Sequence, residues 1–252
     1  MILNAIYRRA FVKLYKNVGA ILVLHNRCKK QLIDMGIEPQ KIRVTTAMYE
    51  GIDESEKDSS RKTDDRVNIL FMAVFLPDKG QDIVAEVGRL LVENGRNDFH
   101  IVFAGDGPLM PELKKLVAEN GLSEYVDILG YVRGKERERV LTEGDIFLFP
   151  TWRSEGFPAV IIEAMGAGQV VISTPRAAIP DIIDDGETGF ICNSKDPKVF
   201  YQVVKRLLDN PDLLHKMQKR AKEKAEENYE ASGYMKRLEA LYLSVMKSDF
   251  VA

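Results

Sequence analysis

Cysteine is nearly absent. The 252-residue chain has two, Cys28 and Cys192, far apart in sequence, which argues against a disulfide framework or a zinc cluster and fits a reducing cytosol. An excess of charge of one sign is also missing. Lys plus Arg number 36 against 38 for Asp plus Glu, so no global field points to nucleic acid, although a local basic patch stays open. No apolar run reaches the ~20 residues of a membrane-spanning helix, and the N-terminus lacks the uninterrupted apolar core of a signal peptide. Internal repeats and low-complexity tracts are lacking as well. The length allows one large domain, or one full domain with part of another.

The first helical stretch, "ILNAIYRRAFVKLYKN", repeats Leu3, Ile6, Tyr7, Ala10, Phe11 and Leu14 at helical spacing, with Arg8, Arg9, Lys13 and Lys16 on the remaining surface. Such a helix either packs its stripe on a core or lies on an anionic membrane, a peripheral contact through residues 2–16. A strand "AILVLH", a helix ending at Gly36 and a strand "KIRVTT" follow. Asp53 to Arg66 is almost devoid of apolar residues and reads as a solvated linker.

Beyond the linker, six short apolar strands ("VNILFMAV", "HIVFAG", "VDILGYV", "DIFLFP", "VVIST", "TGFIC") alternate with helices, and three helices close the chain. Continuous apolar strands separated by helices mean a parallel sheet covered on both faces, so the expected fold class is α/β, doubly wound and Rossmann-like. Such sheets bind ligands beyond the carboxyl ends of their strands, where strand order reverses. The turns to inspect are therefore "FLPDKG", "AGDGPL", "GYVRGK", "PTWRSEGFP" and "TPRAAIP".

In "SEGFPAVIIEAMGAG", Pro158 suits the first turn of a helix, whose free amides and positive dipole end favour an anion such as a diphosphate. Gly156 lets the backbone come close to it. Glu163 lies more than one turn inside this apolar helix, too deep for a cap, and Glu155 precedes it by eight positions. Carboxylates accept bidentately from vicinal hydroxyls, so the pair implies a phosphate flanked by sugars. A structural ion-pair role is the plainer reading of these carboxylates. Lys79 by itself is an ordinary solvated loop lysine, and "AGDGP" by itself an ordinary strand-to-helix turn. Trp152 can line the crevice or cover the sheet end.

The same stretch resembles the E-x7-E motif of the retaining glycosyltransferases of family 4, which have the two-domain GT-B architecture. The resemblance extends over "LPDKG", "VFAGDGPLMPELKKL", "VDILGYV", "DIFLFPTWRSEGFP" and "GQVVISTPRAAIPDIIDDGETGFIC", from about Val18 to the end. It implies that Glu163 holds the nucleotide ribose and Glu155 the hydroxyls of the donor sugar. Gly156, Phe157 and Pro158 would meet the donor phosphates, and Lys79 would offset charge on the departing diphosphate. Tyr131, Val132 and Arg133 would border the base, and Gly105 and Gly107 would let backbone approach the nucleotide.

The resemblance implies a nucleotide sugar as donor and a glycan or lipid-linked acceptor; the visible motifs require neither metal nor cofactor, and the cysteine usage with the cationic first helix points to a cytoplasmic protein that can sit at the inner face of the cell membrane. It also implies boundaries: residues 1–52 a remnant of the acceptor-side domain, 53–66 the linker, 67–228 the donor domain, and 229–252 a helix crossing back to the N-terminal segment.

Two departures stand out. The family usually reads Gly-Arg where this chain has Ala73 and Val74, so a diphosphate-binding arginine is missing, and Arg153 and Arg176 are the candidate substitutes. Members also carry a longer N-terminal domain, so Met1 is expected to begin a truncated chain, gene fragment or partial subunit whose N-terminal partner acts in trans. Two rivals follow. A nicotinamide-dependent oxidoreductase needs G-x-G-x-x-G where "FLPDKG" stands. A non-catalytic nucleotide-binding or regulatory module would bind without transferring.

Overall fold

The computed structural model describes residues 2–15, 17–51, 66–153 and 156–249. The proposed linker lies outside the described residues except for Arg66. Helix α1 (Ile2–Tyr15) is followed by β1 (Ile21–Val23), α2 (Asn26–Met35) and β2 (Ile42–Val44), whose two strands pair in parallel. α2 starts on His25, whose Nδ1 accepts from the Cys28 amide, and stops at Gly36 in the left-handed conformation (φ 102°). Arg8 of α1 donates to the terminal carbonyls of α2 at Asp34 and Met35. The apolar stripe of α1 is covered only in part: Tyr7 and Leu14 stay exposed along a groove shared with Met35. Among the described residues no helix is long and apolar enough to cross a membrane.

The larger unit alternates β3 (Val67–Met72), α3 (Gln81–Glu93), β4 (Phe99–Ala104), α4 (Met110–Glu119), β5 (Val126–Gly130), α5 (Lys135–Glu143), β6 (Ile146–Phe149), α6 (Ala159–Gly166), β7 (Val170–Ser173), a short α7 (Ile179–Ile182) and β8 (Gly189–Ile191). The six strands form one parallel sheet in the order β5-β4-β3-β6-β7-β8. The doubly wound α/β class expected from the strand pattern is therefore present. β6 and β7 are buried at every position, which is why they read as unbroken apolar runs. Phe71, Phe75, Phe103 and Phe149 pack ring to ring beneath the carboxyl ends, with centroids 5.7–6.4 Å apart. Each such pair adds ~0.5–1.5 kcal/mol beyond area burial.

Three helices end the chain: α8 (Pro197–Leu208), α9 (Pro211–Tyr229) and α10 (Ala231–Asp249). Between the last two, Glu230 breaks the helix and its carboxylate accepts from Ser232 and Gly233, which holds it below the usual glutamate range. At this break the chain pairs with the N-terminal segment. The Tyr49 amide donates to the Tyr229 carbonyl and the Ala231 amide to the Tyr49 carbonyl, both at 3.0 Å. The Tyr49 ring lies against Gly166 of α6, where any Cβ would come within 2.5 Å of it.

Tyr49 and Tyr229 are both buried, and desolvation foremost, with nearby carboxylates, pushes each phenol up to about 12. An acid that holds its proton more tightly when folded stabilises the fold below its unfolded pKa, near 10, and that contribution is lost as pH rises to 12. Stability should therefore fall over this window in alkaline denaturation, and Tyr49→Phe should flatten the slope. An unchanged slope would show that the phenol does not titrate with unfolding.

Candidate functional site

The strand order reverses between β3 and β6, because the chain runs outward from β3 to β5 and then returns to the other side of β3. The loops after β3 and β6 therefore splay apart and leave a crevice. The β3–α3 loop is fixed from two sides. Gly80 (φ 96°) faces Pro150 so closely that a Cβ would lie 2.7 Å from the Pro150 carbonyl oxygen. Asp78 is itself left-handed (φ 62°), its carbonyl accepting from the Trp152 and Arg153 amides at 2.7 and 3.2 Å. Lys195 donates to its carboxylate at 2.8 Å and holds it below the usual range. Lys79 follows, with its ammonium 5.7 Å from the centroid of the Phe149 ring, so a core phenylalanine also floors the crevice.

The β4–α4 turn completes the opposite wall. The Ala73 and Phe75 amides donate to the Ala104 and Asp106 carbonyls, which draws the two loops together. At Gly105 (φ 142°) a Cβ would sit 1.8 Å from the Ala73 carbonyl oxygen, and at Gly107 (φ 158°) 2.5 Å from that of Phe75. Both glycines thus serve backbone-to-backbone packing, and Gly105 also lines the cleft.

α6 begins at Ala159, with Pro158 as its N-cap rather than its first helical residue. Among the described residues no side chain caps this end; the Ile161 amide turns back onto the Pro158 carbonyl at 3.0 Å, which leaves the Ala159 and Val160 amides at the helix start as the groups a ligand could meet. The Phe157 and Tyr229 rings meet in a T-shaped pair with centroids 6.0 Å apart, which pins the loop to α9. Gly156 has nothing within 4 Å of where a Cβ would stand. Ser154 and Glu155 lie outside the described residues.

These loops enclose a cleft of about 370 Å³ lined by Val74, Lys79, Gly105, Arg133, Arg137 and Pro158, among others. Tyr131 is largely exposed at its rim, whereas Val132 is buried in its wall. Glu163 carries an ion pair to Arg137, Nη2 to Oε2, with both side chains partly shielded from water. Sequence reasoning missed Arg137. No local signal singled it out, since Glu136 and Glu138 flank it in the first turn of α5 and offset its charge there.

Neither Arg153 nor Arg176 is among the described residues lining this cleft. Arg153 reaches the Pro77 carbonyl at 3.4 Å. The Arg176 guanidinium stacks 3.9 Å from the centroid of the Trp152 ring, which places Trp152 under a cation at the sheet end. Among the described residues no group of three or more His, Cys, Asp or Glu is placed to hold a metal ion. Lys79 and the N-terminal end of α6 thus bring a cation and oriented amides to one concave site, and Glu163 adjoins it through its ion pair with the lining Arg137. Together they can grip a phosphate and a neighbouring diol.

Comparisons with known proteins agree with this architecture. Residues 52–224 match the family described as Glycosyl transferases group 1. The amylovoran biosynthesis glycosyltransferase AmsK of Erwinia amylovora is 29% identical over 209 residues, 80% of this chain and 50% of AmsK. The putative colanic acid biosynthesis glycosyltransferase WcaL of Salmonella typhimurium is 24% identical over 250 residues, 95% of this chain and 60% of WcaL. Anabaena Alr3699/HepE, solved in complex with UDP, superposes with a TM-score of 0.81 at 16% identity, over 94% of this chain and 67% of that one. The chain spans about half the length of AmsK, and the likeness to HepE is one of fold. With the family matched across more than half of its residues, the chain belongs to the glycosyl transferases group 1.

Proposed function

We propose that this chain is the donor-binding half of a retaining transferase, passing a hexosyl unit from a nucleoside-diphosphate sugar to a glycan or lipid-linked acceptor. The observation that carries the reading is that Lys79 and the N-terminal end of α6 line one cleft where strand order reverses, with Glu163 joined to it through the lining Arg137. Glu163 accepts the ribose hydroxyls, while Lys79 and the α6 amides take up charge on the departing diphosphate. Glu155 engages the donor sugar. The acceptor hydroxyl attacks from the face that the diphosphate leaves, which retains the anomeric configuration. The names of AmsK and WcaL, both tied to polysaccharide biosynthesis, favour an envelope or exopolysaccharide glycan as acceptor. UDP bound by HepE favours a uridine nucleotide. The acceptor is expected to be held by an N-terminal domain in cis or supplied in trans.

Calorimetric titration of UDP, GDP and ADP into the chain tests the donor site. One nucleotide should bind, and Glu163→Ala should weaken it by about tenfold or more, the worth of a charge-assisted hydrogen-bond pair. Failure of all three to bind the native chain would overturn the assignment. Val74 favours a second reading, a nucleotide-binding module without turnover. It is recognised by nucleotide affinity with neither sugar transfer nor donor hydrolysis when a cognate N-terminal domain is added.

A further inference from the structure

Arg137 has no role in the reading above, yet its guanidinium stands in the donor cleft. It sits in the first turn of α5 between Glu136 and Glu138, yet its side chain reaches across to α6 instead of pairing with either neighbour. Its Nη2 meets Oε2 of Glu163 with side chains 34% and 22% exposed, more enclosed than a freely solvated surface pair. Val74, at 56% exposure, lines the same cleft without offering charge or a donor. Arg153 and Arg176 are engaged outside it, on the Pro77 carbonyl and the Trp152 ring.

Building on the donor reading, we infer that Arg137 is the second diphosphate cation of this site, supplied from α5 instead of the β3–α3 loop, and that in the free protein it is parked on Glu163. The exchange on binding keeps every group partnered. Ribose hydroxyls replace the guanidinium on Glu163, and phosphate oxygens replace the carboxylate on Arg137, a planar fork suited to either anion. A nucleoside without phosphates breaks this balance. It takes Glu163 but returns nothing to Arg137, so the ion pair opposes nucleosides and favours diphosphates.

The test compares the tightest of UDP, GDP and ADP with its own nucleoside on the full chain, Arg137→Leu and Arg137→Lys. The nucleoside is measured by competition, and thermal melting verifies that each variant is folded. Arg137→Leu should weaken the diphosphate by about tenfold or more while leaving the nucleoside unchanged or tighter, and Arg137→Lys should recover part of the loss. A merely structural Arg137 predicts equal losses for both ligands. Equal losses, or a diphosphate affinity that ignores Arg137, overturn the inference and leave the donor site standing. If the native chain binds no nucleotide, the donor reading falls and this inference with it.

Discussion

Replacing Lys79 by alanine is expected to weaken nucleoside diphosphate binding by about 10- to 100-fold, because a charge-assisted hydrogen bond to phosphate is worth ~1.5–3 kcal/mol. The loss in sugar transfer should be larger. Charge on the diphosphate grows as its bond to the sugar breaks, and removing one preorganised donor from such a site costs about 100- to 1000-fold in rate. The ammonium stands over Phe149, so the low-polarity floor strengthens its field in the cleft. Nucleoside affinity should scarcely change, since Lys79 serves the phosphates. Calorimetry with the diphosphate and its nucleoside, run with Lys79→Ala and Lys79→Arg, separates these outcomes. A diphosphate affinity that survives Lys79→Ala would remove the lysine from the site.

Gly105→Ala is expected to destabilise the fold by about 3 kcal/mol or more, with strain at positive φ and overpacking each contributing ~1–3 kcal/mol. A Cβ 1.8 Å from the Ala73 carbonyl oxygen cannot be accommodated unless the β3–α3 loop moves. That loop carries Val74 and Lys79, so nucleotide affinity should fall together with stability. For a chain of this length the melting temperature should drop by about 6–12 °C. Gly156→Ala is the control for melting alone, because no described residue lies within 4 Å of its Cβ position. If Gly105→Ala melts like the native protein, the close approach of the β3–α3 and β4–α4 loops is not as described.

Much of the fold was legible because buried parallel strands have a distinctive local signature. The runs "DIFLFP" and "VVIST" stand out since β6 and β7 have no solvent face. Gly36 marked the end of α2 because only a left-handed residue fits there. The limits were local too. "VNILFMAV" reads as one strand, but pairing ends at Met72, where Ala73 and Val74 turn into the loop that walls the cleft. The four-residue α7 carries too little periodicity to be seen. The loops after the strands stand out because glycine, proline and charge gather where the chain must turn from strand to helix.

By itself, the sequence determined the alternation of strands and helices, and with it the parallel sheet and the loops that follow its strands. Periodicity and helix-start signals are properties of neighbouring residues, and they also put Glu163 deep in an apolar helix behind Pro158. Tertiary structure alone decided which side chains meet. It joined Arg137 to Glu163, drew Arg176 onto Trp152, and pressed Gly105 against Ala73. Those contacts link separate loops, and strand order sets the distances between them. No local pattern records that β3 lies between β4 and β6.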